Sequence, residues 1–209
     1  MGRQEKEVKS YNDIRTSLNT GDIVLFSGSG VISKTIQYFS RSFWSHIGMV
    51  IRDEEWKMLL LWESTTLSKV KDVESRGQRQ GVAIRPMSDR LRDYPVGKVA
   101  FRKLQNITIT GEMKQALIAF RNEIKGRNYE ESKVELMRSA YDGFLGKNEE
   151  DLSSVFCSEL VAEALQRIGV LKEHDEDGGY PSNEYTPADF GKDDIMGIKQ
   201  GSFGELIYV

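Results

Sequence analysis

The chain has one cysteine, Cys157, and two histidines, His46 and His174, in 209 residues. A single cysteine excludes an internal disulfide, which fits a reducing compartment and leaves a thiol for chemistry. No stretch approaches the run of roughly 18 apolar residues that spans a bilayer. The opening Gly2-Arg3-Gln4-Glu5-Lys6-Glu7 lacks the apolar segment of a signal peptide. A cytoplasmic protein without a transmembrane segment is expected. Excess charge of one sign is missing as well: 29 Lys and Arg against 32 Asp and Glu leave a net charge of −3. With the two signs intermixed, no basic stripe offers a nucleic acid its electrostatic footprint. No cluster of ligands closes a tetrahedral zinc site, and neither metal nor cofactor is expected.

What is present suffices for a packed globule. A 39% hydrophobic share supports one domain over 1–209, with its core at about 20–190 and a flexible lead-in at 1–12. Neither an internal repeat nor an interdomain linker is visible. Gly21-Asp22-Ile23-Val24-Leu25-Phe26 reads as a turn into a buried strand. Ser27-Gly28-Ser29-Gly30 closes it and lacks the lysine of a phosphate-binding loop, so it reads as a connection. Val31 to Ser40 has helical spacing. Residues 46 to 52 and 57 to 63 are β-rich runs around a polar Asp53-Glu54-Glu55-Trp56 segment, the pattern of an antiparallel hairpin. A two-residue turn at Glu54-Glu55 sets His46 directly opposite Glu63, with Cβ atoms about 4.5–5.5 Å apart. Further strands are expected at Val82 to Arg85 and Lys98 to Leu104, and a charged loop at Lys69 to Gln80.

The second half turns helical. Thr110-Gly111-Glu112 starts a helix ending near Gly126, and Glu131 to Tyr141 forms another. A third opens at Cys157, carries Leu160, Val161, Ala164, Leu165 and Ile168 on one face, and stops at Gly169. Strands first and helices after make an α+β domain.

Cys157 at a helix start would meet unpaired backbone N–H groups, which stabilise a thiolate. Histidine is the usual base near neutral pH. His46 lies on a strand, whereas His174 falls in the acidic loop Lys172-Glu173-His174-Asp175-Glu176-Asp177 and reads as surface. The plainer readings stand beside these. A lone cysteine is often an inert small hydrophobe, His46 can be a core histidine, and Glu63 an ordinary strand-end carboxylate. Against the last, a carboxylate on the strand of Leu59, Leu60, Leu61 and Trp62 is unfavourable unless partnered.

Gly21-Asp22, Ser45-His46-Ile47-Gly48, Trp62-Glu63, Gly126-Arg127-Asn128-Tyr129, Phe156-Cys157-Ser158-Glu159-Leu160 and Thr186-Pro187-Ala188-Asp189-Phe190 together resemble the circularly permuted NlpC-type, papain-like cysteine amidases of the YiiX/YebB-like kind. The resemblance implies a permuted papain-like fold, an antiparallel sheet or barrel packed against helices, with the histidine strand before the nucleophile helix. It implies Cys157 as nucleophile, His46 as base and Glu63 as the orienting third residue. One departure is the long charged stretch before Cys157, including Lys147-Asn148-Glu149-Glu150-Asp151, which would cap the cleft or set substrate choice.

The chemistry expected of this triad is hydrolysis of an amide or ester through a thioacyl enzyme, with the Cys157 N–H as an oxyanion donor. Ser158 and Glu159 read first as structural. Tyr129 would line the cleft or be a buried, hydrogen-bonded tyrosine. Tyr38, Phe39, Phe43 and Trp44 would wall an acyl chain, touch a membrane peripherally, or belong to the core. The substrate class stays open among small molecules, peptides and acyl or lipid compounds. An acyltransferase and a catalytically silent lipid-binding module remain as alternatives.

Overall fold

The alternating runs of the first hundred residues form one antiparallel sheet in this computed structural model, which describes residues 7–30, 33–34, 37–38, 40–65, 69–78, 81–125 and 152–209. In chain order the elements are α1 (Tyr11–Ile14), β1 (Ile23–Phe26), β2 (His46–Arg52), β3 (Leu59–Thr65), β4 (Gly81–Pro86), α2 (Met87–Leu91), β5 (Val99–Arg102), β6 (Leu104–Gln105), α3 (Gly111–Ile124), α4 (Leu152–Arg167), β7 (Ser202–Phe203) and β8 (Ile207–Tyr208). The main sheet runs β4-β3-β2-β1-β5-β8, and β6 pairs with β7. The result is α+β, an antiparallel sheet packed against helices.

Hydrophobic alternation decides the layers, because successive strand residues point to opposite faces. Ile23, Leu25, Ile47, Met49, Trp62, Ile84 and Ala100 build one core layer with Leu117 and Phe120 of α3 and Leu160, Val161 and Leu165 of α4. The intervening Val24, Phe26, Val50, Leu61, Val99 and Phe101 build the other, covered by Ile14, Leu18 and Met87. β1, β2, β3 and β5 are therefore buried on both faces, which explains their near-continuous apolar sequences.

The hairpin register differs from the two-residue-turn expectation. Met49 pairs with Trp62 and Arg52 with Leu59, so the turn occupies Asp53 to Met58 and is closed by the Asp53 N–H to Met58 O bond of 2.9 Å. Asp53 Oδ1 also accepts from Trp56 N–H at 2.7 Å, and Lys57 takes a positive φ of 53°. The extra loop residues shift the register by two positions. A shift of two preserves side-chain parity, so His46 and Glu63 still share a face.

Other boundaries follow local chemistry. Thr110 caps α3, its hydroxyl accepting from Met113 N–H at 3.2 Å. Gly169, at φ +68°, ends the run after α4. The helix expected to open at Cys157 begins instead at Leu152, where Asp151-Leu152-Ser153-Ser154 carries the start signal in sequence. The lead-in is tied down where it is described: Lys9 N–H bonds Tyr208 O at 2.8 Å, and Ser10 caps α1. Of Val31 to Ser40, helical backbone is described at 33–34 and 37–38. The helix expected at Glu131 to Tyr141 lies outside the described residues.

Candidate functional site

Glu63 is the centre of the site. Its carboxylate is fully buried on β3, with Oε2 2.6 Å from His46 Nε2 and Oε1 accepting from Arg90 Nε at 2.9 Å and Arg85 Nη1 at 3.2 Å. The strand registers explain the assembly. Glu63 pairs with Ala83, which sets Arg85 two residues further along the same face of β4. Continuing the β2–β3 register sets Glu63 opposite Gly48, which sets His46 two residues along the same face of β2. The carboxylate thus meets its partners along two diagonals, within reach of long side chains. Gly48 leaves the room: a Cβ there would stand 2.5 Å from Leu61 Cδ1, 3.0 Å from Trp62 O and 3.2 Å from Glu63 Cβ.

Arg90 arrives from α2 and is itself held. It donates to Asp93 Oδ2 at 2.8 Å and Tyr94 Oη at 3.1 Å, and its guanidinium lies 5.3 Å from the Phe26 ring centroid. Phe26 also flanks the imidazole, centroid to centroid at 5.5 Å.

These contacts decide the protonation states. Burial pushes Glu63 upward, but the Arg90 guanidinium, the hydrogen bond from His46 and the Arg85 guanidinium outweigh it and hold the carboxyl at about 2. Burial lowers His46 below its ordinary 6.5 despite the pull of Glu63. A neutral imidazole facing an ionised carboxylate carries its proton on Nε2, which leaves the Nδ1 lone pair as the basic site.

Cys157 is fully buried and sits in the second turn of α4, so its N–H falls in the hydrogen-bonded part of the helix and not among the first four donors. The expected helix-start placement of Cys157 is corrected accordingly. Burial pushes the thiol up to about 12; the Glu63 charge adds to the rise, and the N–H groups of Ile47, Ser158 and Cys157 itself oppose it. The lowered thiol expected from a helix terminus is absent because burial outweighs the backbone N–H groups that act on the sulfur. The sulfur belongs to the layer of Ile47, Met49 and Trp62, whereas His46 and Glu63 alternate with that layer and sit beside Phe26. The structure joins His46 to Glu63 and brings Cys157 to the β2 backbone at Ile47 from the other face.

The remaining expected site residues separate. Trp44 is buried, stacked on Tyr208 at 5.9 Å and 20°, and closes over Gly191, where a Cβ would come within 2.4 Å of its ring. It is a core residue. Phe43 is exposed, meets Trp44 edge-on at 5.0 Å and lies under Lys98 Nζ at 4.5 Å. Tyr38 is exposed. Tyr129 and Lys147 to Asp151 lie outside the described residues. His174 is exposed. Ser158 donates its hydroxyl to Tyr185 O, a helix-to-loop tie. The Thr186-to-Phe190 block is a capped turn in which Asp189 Oδ2 accepts from Thr186 N–H and Oγ1–H.

Sequence reading missed Arg85 and Arg90 as site residues. The signal for Arg85 was present: an arginine at the end of an otherwise apolar strand, next to a strand with one carboxylate. Arg90 had none, because α2 is a five-residue helix. Among the described residues, no group of three His, Cys, Asp or Glu side chains could hold a metal ion, and no helix is long and apolar enough to cross a membrane.

With this geometry in hand, similarity to known proteins adds little chemistry. No family model matches the chain. An uncharacterised protein of Acanthamoeba polyphaga mimivirus is 26% identical, the match covering 89% of this chain and 80% of that protein. The crystal structure of the metalloprotein yiiX from Escherichia coli O157:H7 superposes with a TM-score of 0.46 at 19% identity, covering 92% of this chain and 96% of that one.

Proposed function

We propose that this chain is a cysteine acyl hydrolase of permuted papain-like type, with His46 as general base, Glu63 as its orienting partner and Cys157 as nucleophile. The observation that carries the reading is the 2.6 Å contact between His46 Nε2 and an ionised Glu63. A carboxylate that fixes the imidazole tautomer and stabilises the developing imidazolium is the third member of a hydrolytic triad. The chain order, histidine strand before cysteine helix, supports it.

In the resting state the pair is thiol and neutral imidazole. The sulfur and His46 lie on opposite faces of β2, so this reading requires α4 to shift around the first residue of that strand before the sulfur and His46 Nδ1 meet. Nδ1 then takes the thiol proton as sulfur attacks the acyl carbonyl, the imidazolium returns that proton to the leaving amine or alcohol, and a thioester remains on Cys157. Water, deprotonated by the same nitrogen, releases the carboxylic acid and restores the thiol. An added amine that captured the acyl group would make the enzyme an acyltransferase with the same triad.

The buried, high-pKa thiol favours a second reading, a catalytically silent binding module. Mass-spectrometric trapping of acyl-Cys157 with an activated ester separates the two. The enzyme reading expects stoichiometric acylation, absent in Cys157→Ala and slowed by about 10²–10⁴ in His46→Ala. Acylation that fails, or proceeds equally without His46, would establish the binding module. The exposed Phe43 remains a candidate acyl contact, and Phe43→Ala should slow long-chain esters more than short ones.

A further inference from the structure

The chain carries no Asp or Glu between Asp22 and Asp53, although the whole sequence has 32 acidic residues. That run spans β1, β2 and the connection between them. The connection emerges at the end of the sheet where β5 starts, because Phe26 pairs with both His46 and Val99.

Four apolar side chains are exposed at this end: Val96 at 82%, Tyr38 at 78%, Val8 at 43% and Phe43 at 37%. Hydrogen bonds and contacts bring them together. Gln37 Nε2 donates to Ser27 Oγ and to the carbonyls of Gly28 and Phe43, which fastens the Tyr38 segment to the end of β1. Ser27 N–H in turn bonds Lys98 O at 2.8 Å. Lys98 Nζ lies 4.5 Å from the Phe43 ring centroid, and a Cβ at Gly97, next to Val96, would meet Val8 Cγ2 at 3.8 Å. Positive charge comes from Lys98 and from the exposed Lys9 and Arg41. Within residues 7–9, 37–43 and 95–98, Glu7 is the one acidic residue, and the nearby Asp93 is held by Arg90 at 2.8 Å.

Apolar side chains exposed elsewhere keep different company. Trp56 and Met58 share the hairpin turn with Asp53, Glu54 and Glu55, and Val73 precedes Glu74. Single exposed apolar residues are ordinary. A cluster of them rimmed by cations has the composition that seats proteins on bilayers, where apolar side chains enter the headgroup boundary and Lys and Arg meet anionic lipid. We infer that the end of the molecule bearing Phe43, Val96 and Lys98 is a docking surface for an anionic phospholipid bilayer. Charge complementarity selects this end over the hairpin turn. The inference does not rest on the acyl-hydrolase reading, and its test measures binding alone.

The test is co-sedimentation of the intact protein with sucrose-loaded vesicles, made of phosphatidylcholine alone or with about one-third phosphatidylserine. Binding is expected to the mixed vesicles only. It should fall as salt rises from about 0.1 M to about 1 M, which shortens the screening length from about 10 Å to about 3 Å. Lys98→Gln and Arg41→Gln should each weaken it about fivefold, the worth of one cation near such a surface. Val96→Asp, checked for an intact fold by circular dichroism, should weaken it by about fivefold or more, since it replaces an apolar contact with a charge of the lipid's own sign. Trp56→Ala should leave it unchanged. The inference is overturned if neither vesicle binds, if both bind alike, if Val96→Asp binds as the parent does, or if Trp56→Ala weakens binding as much as Val96→Asp. Sedimentation equilibrium tests the other occupant: a parent dimer that Val96→Asp dissociates, with no vesicle binding by either, would assign the surface to a second copy of the chain and also overturns it.

Discussion

The two faces of the central sheet are built by opposite means. The face toward α3 and α4 is apolar from Ile23 and Leu25 across Ile47, Met49 and Trp62 to Ile84, and the buried Arg102 at its edge is held by backbone carbonyls of Phe190, Phe203 and Gly204 without a buried carboxylate. The face toward α1 and α2 mixes Val24, Phe26, Val50 and Leu61 with His46, Glu63, Arg85 and Arg90, all buried. An apolar layer is stabilised by the area it removes from water and tolerates volume-conserving change. A buried ionic cluster is stable only while complete, because each charge depends on its partner against desolvation. The contrast assigns packing to one face and the placement of an imidazole to the other.

The comparison breaks most sharply at Glu63. Glu63→Gln removes the buried counter-charge of Arg85 and leaves Arg90 only the exposed Asp93, and should destabilise by about 3–5 kcal/mol in denaturant unfolding. Acid should act on the same group. A carboxyl held at about 2 when folded, below its ordinary 4.5, contributes stability that is complete above the ordinary value and lost as pH falls through the folded one. His46, lowered from 6.5, has the same sign and loses its contribution as pH falls below 6.5. Asp22 opposes them: burial raises it to about 6, so its contribution is present below 3.8 and lost as pH rises through 6. Denaturation midpoints should therefore fall as pH drops below about 4.5, and Glu63→Gln should flatten that limb.

Gly48→Ala should come next, at about 1–3 kcal/mol by overpacking. Its new methyl meets Leu61, the Trp62 carbonyl and Glu63 together, so the 15N shifts of His46 should also lose the Nε2–H tautomer pattern. On the other face, Ile84→Val should cost only about 0.5–1.5 kcal/mol and leave the His46 spectrum unchanged. A shift in His46 there would show that the faces are coupled. The smallest effect is expected from the largest replacement. Glu63→Leu, Arg85→Met and Arg90→Met together remove the charged groups around His46 and should leave stability near that of the parent or above it, while the His46 tautomer preference disappears.

Local signals in the sequence carried the strands well, because each buried strand is a short apolar run bounded by glycine or charge. The α3 cap at Thr110 and the stop at Gly169 were readable for the same reason: each is set within one helical turn. The short helices α1 and α2 and the paired tail at Ile207–Tyr208 were not, since four or five residues give no periodicity and their order comes from contacts with distant segments. The His46–Glu63 contact was legible through a wrong register, and survived because the error was even. The apolar wall was half right: Phe43 is exposed, but Trp44 lies against Gly191 and Tyr208, partners about 150 residues away in sequence that no local pattern reveals.

By itself, the sequence determined the α+β class, the strand that carries His46, the carboxylate at Glu63 and the uniqueness of the Cys157 thiol. All are matters of residue identity and of periods two and 3.6. Tertiary structure alone decided that Arg85 and Arg90 close around Glu63, that His46 rests neutral with its proton on Nε2, and that Cys157 is buried with its thiol pushed up to about 12. Those are electrostatic outcomes, set by burial and by charges brought together from separate strands and helices, and no linear pattern contains those distances.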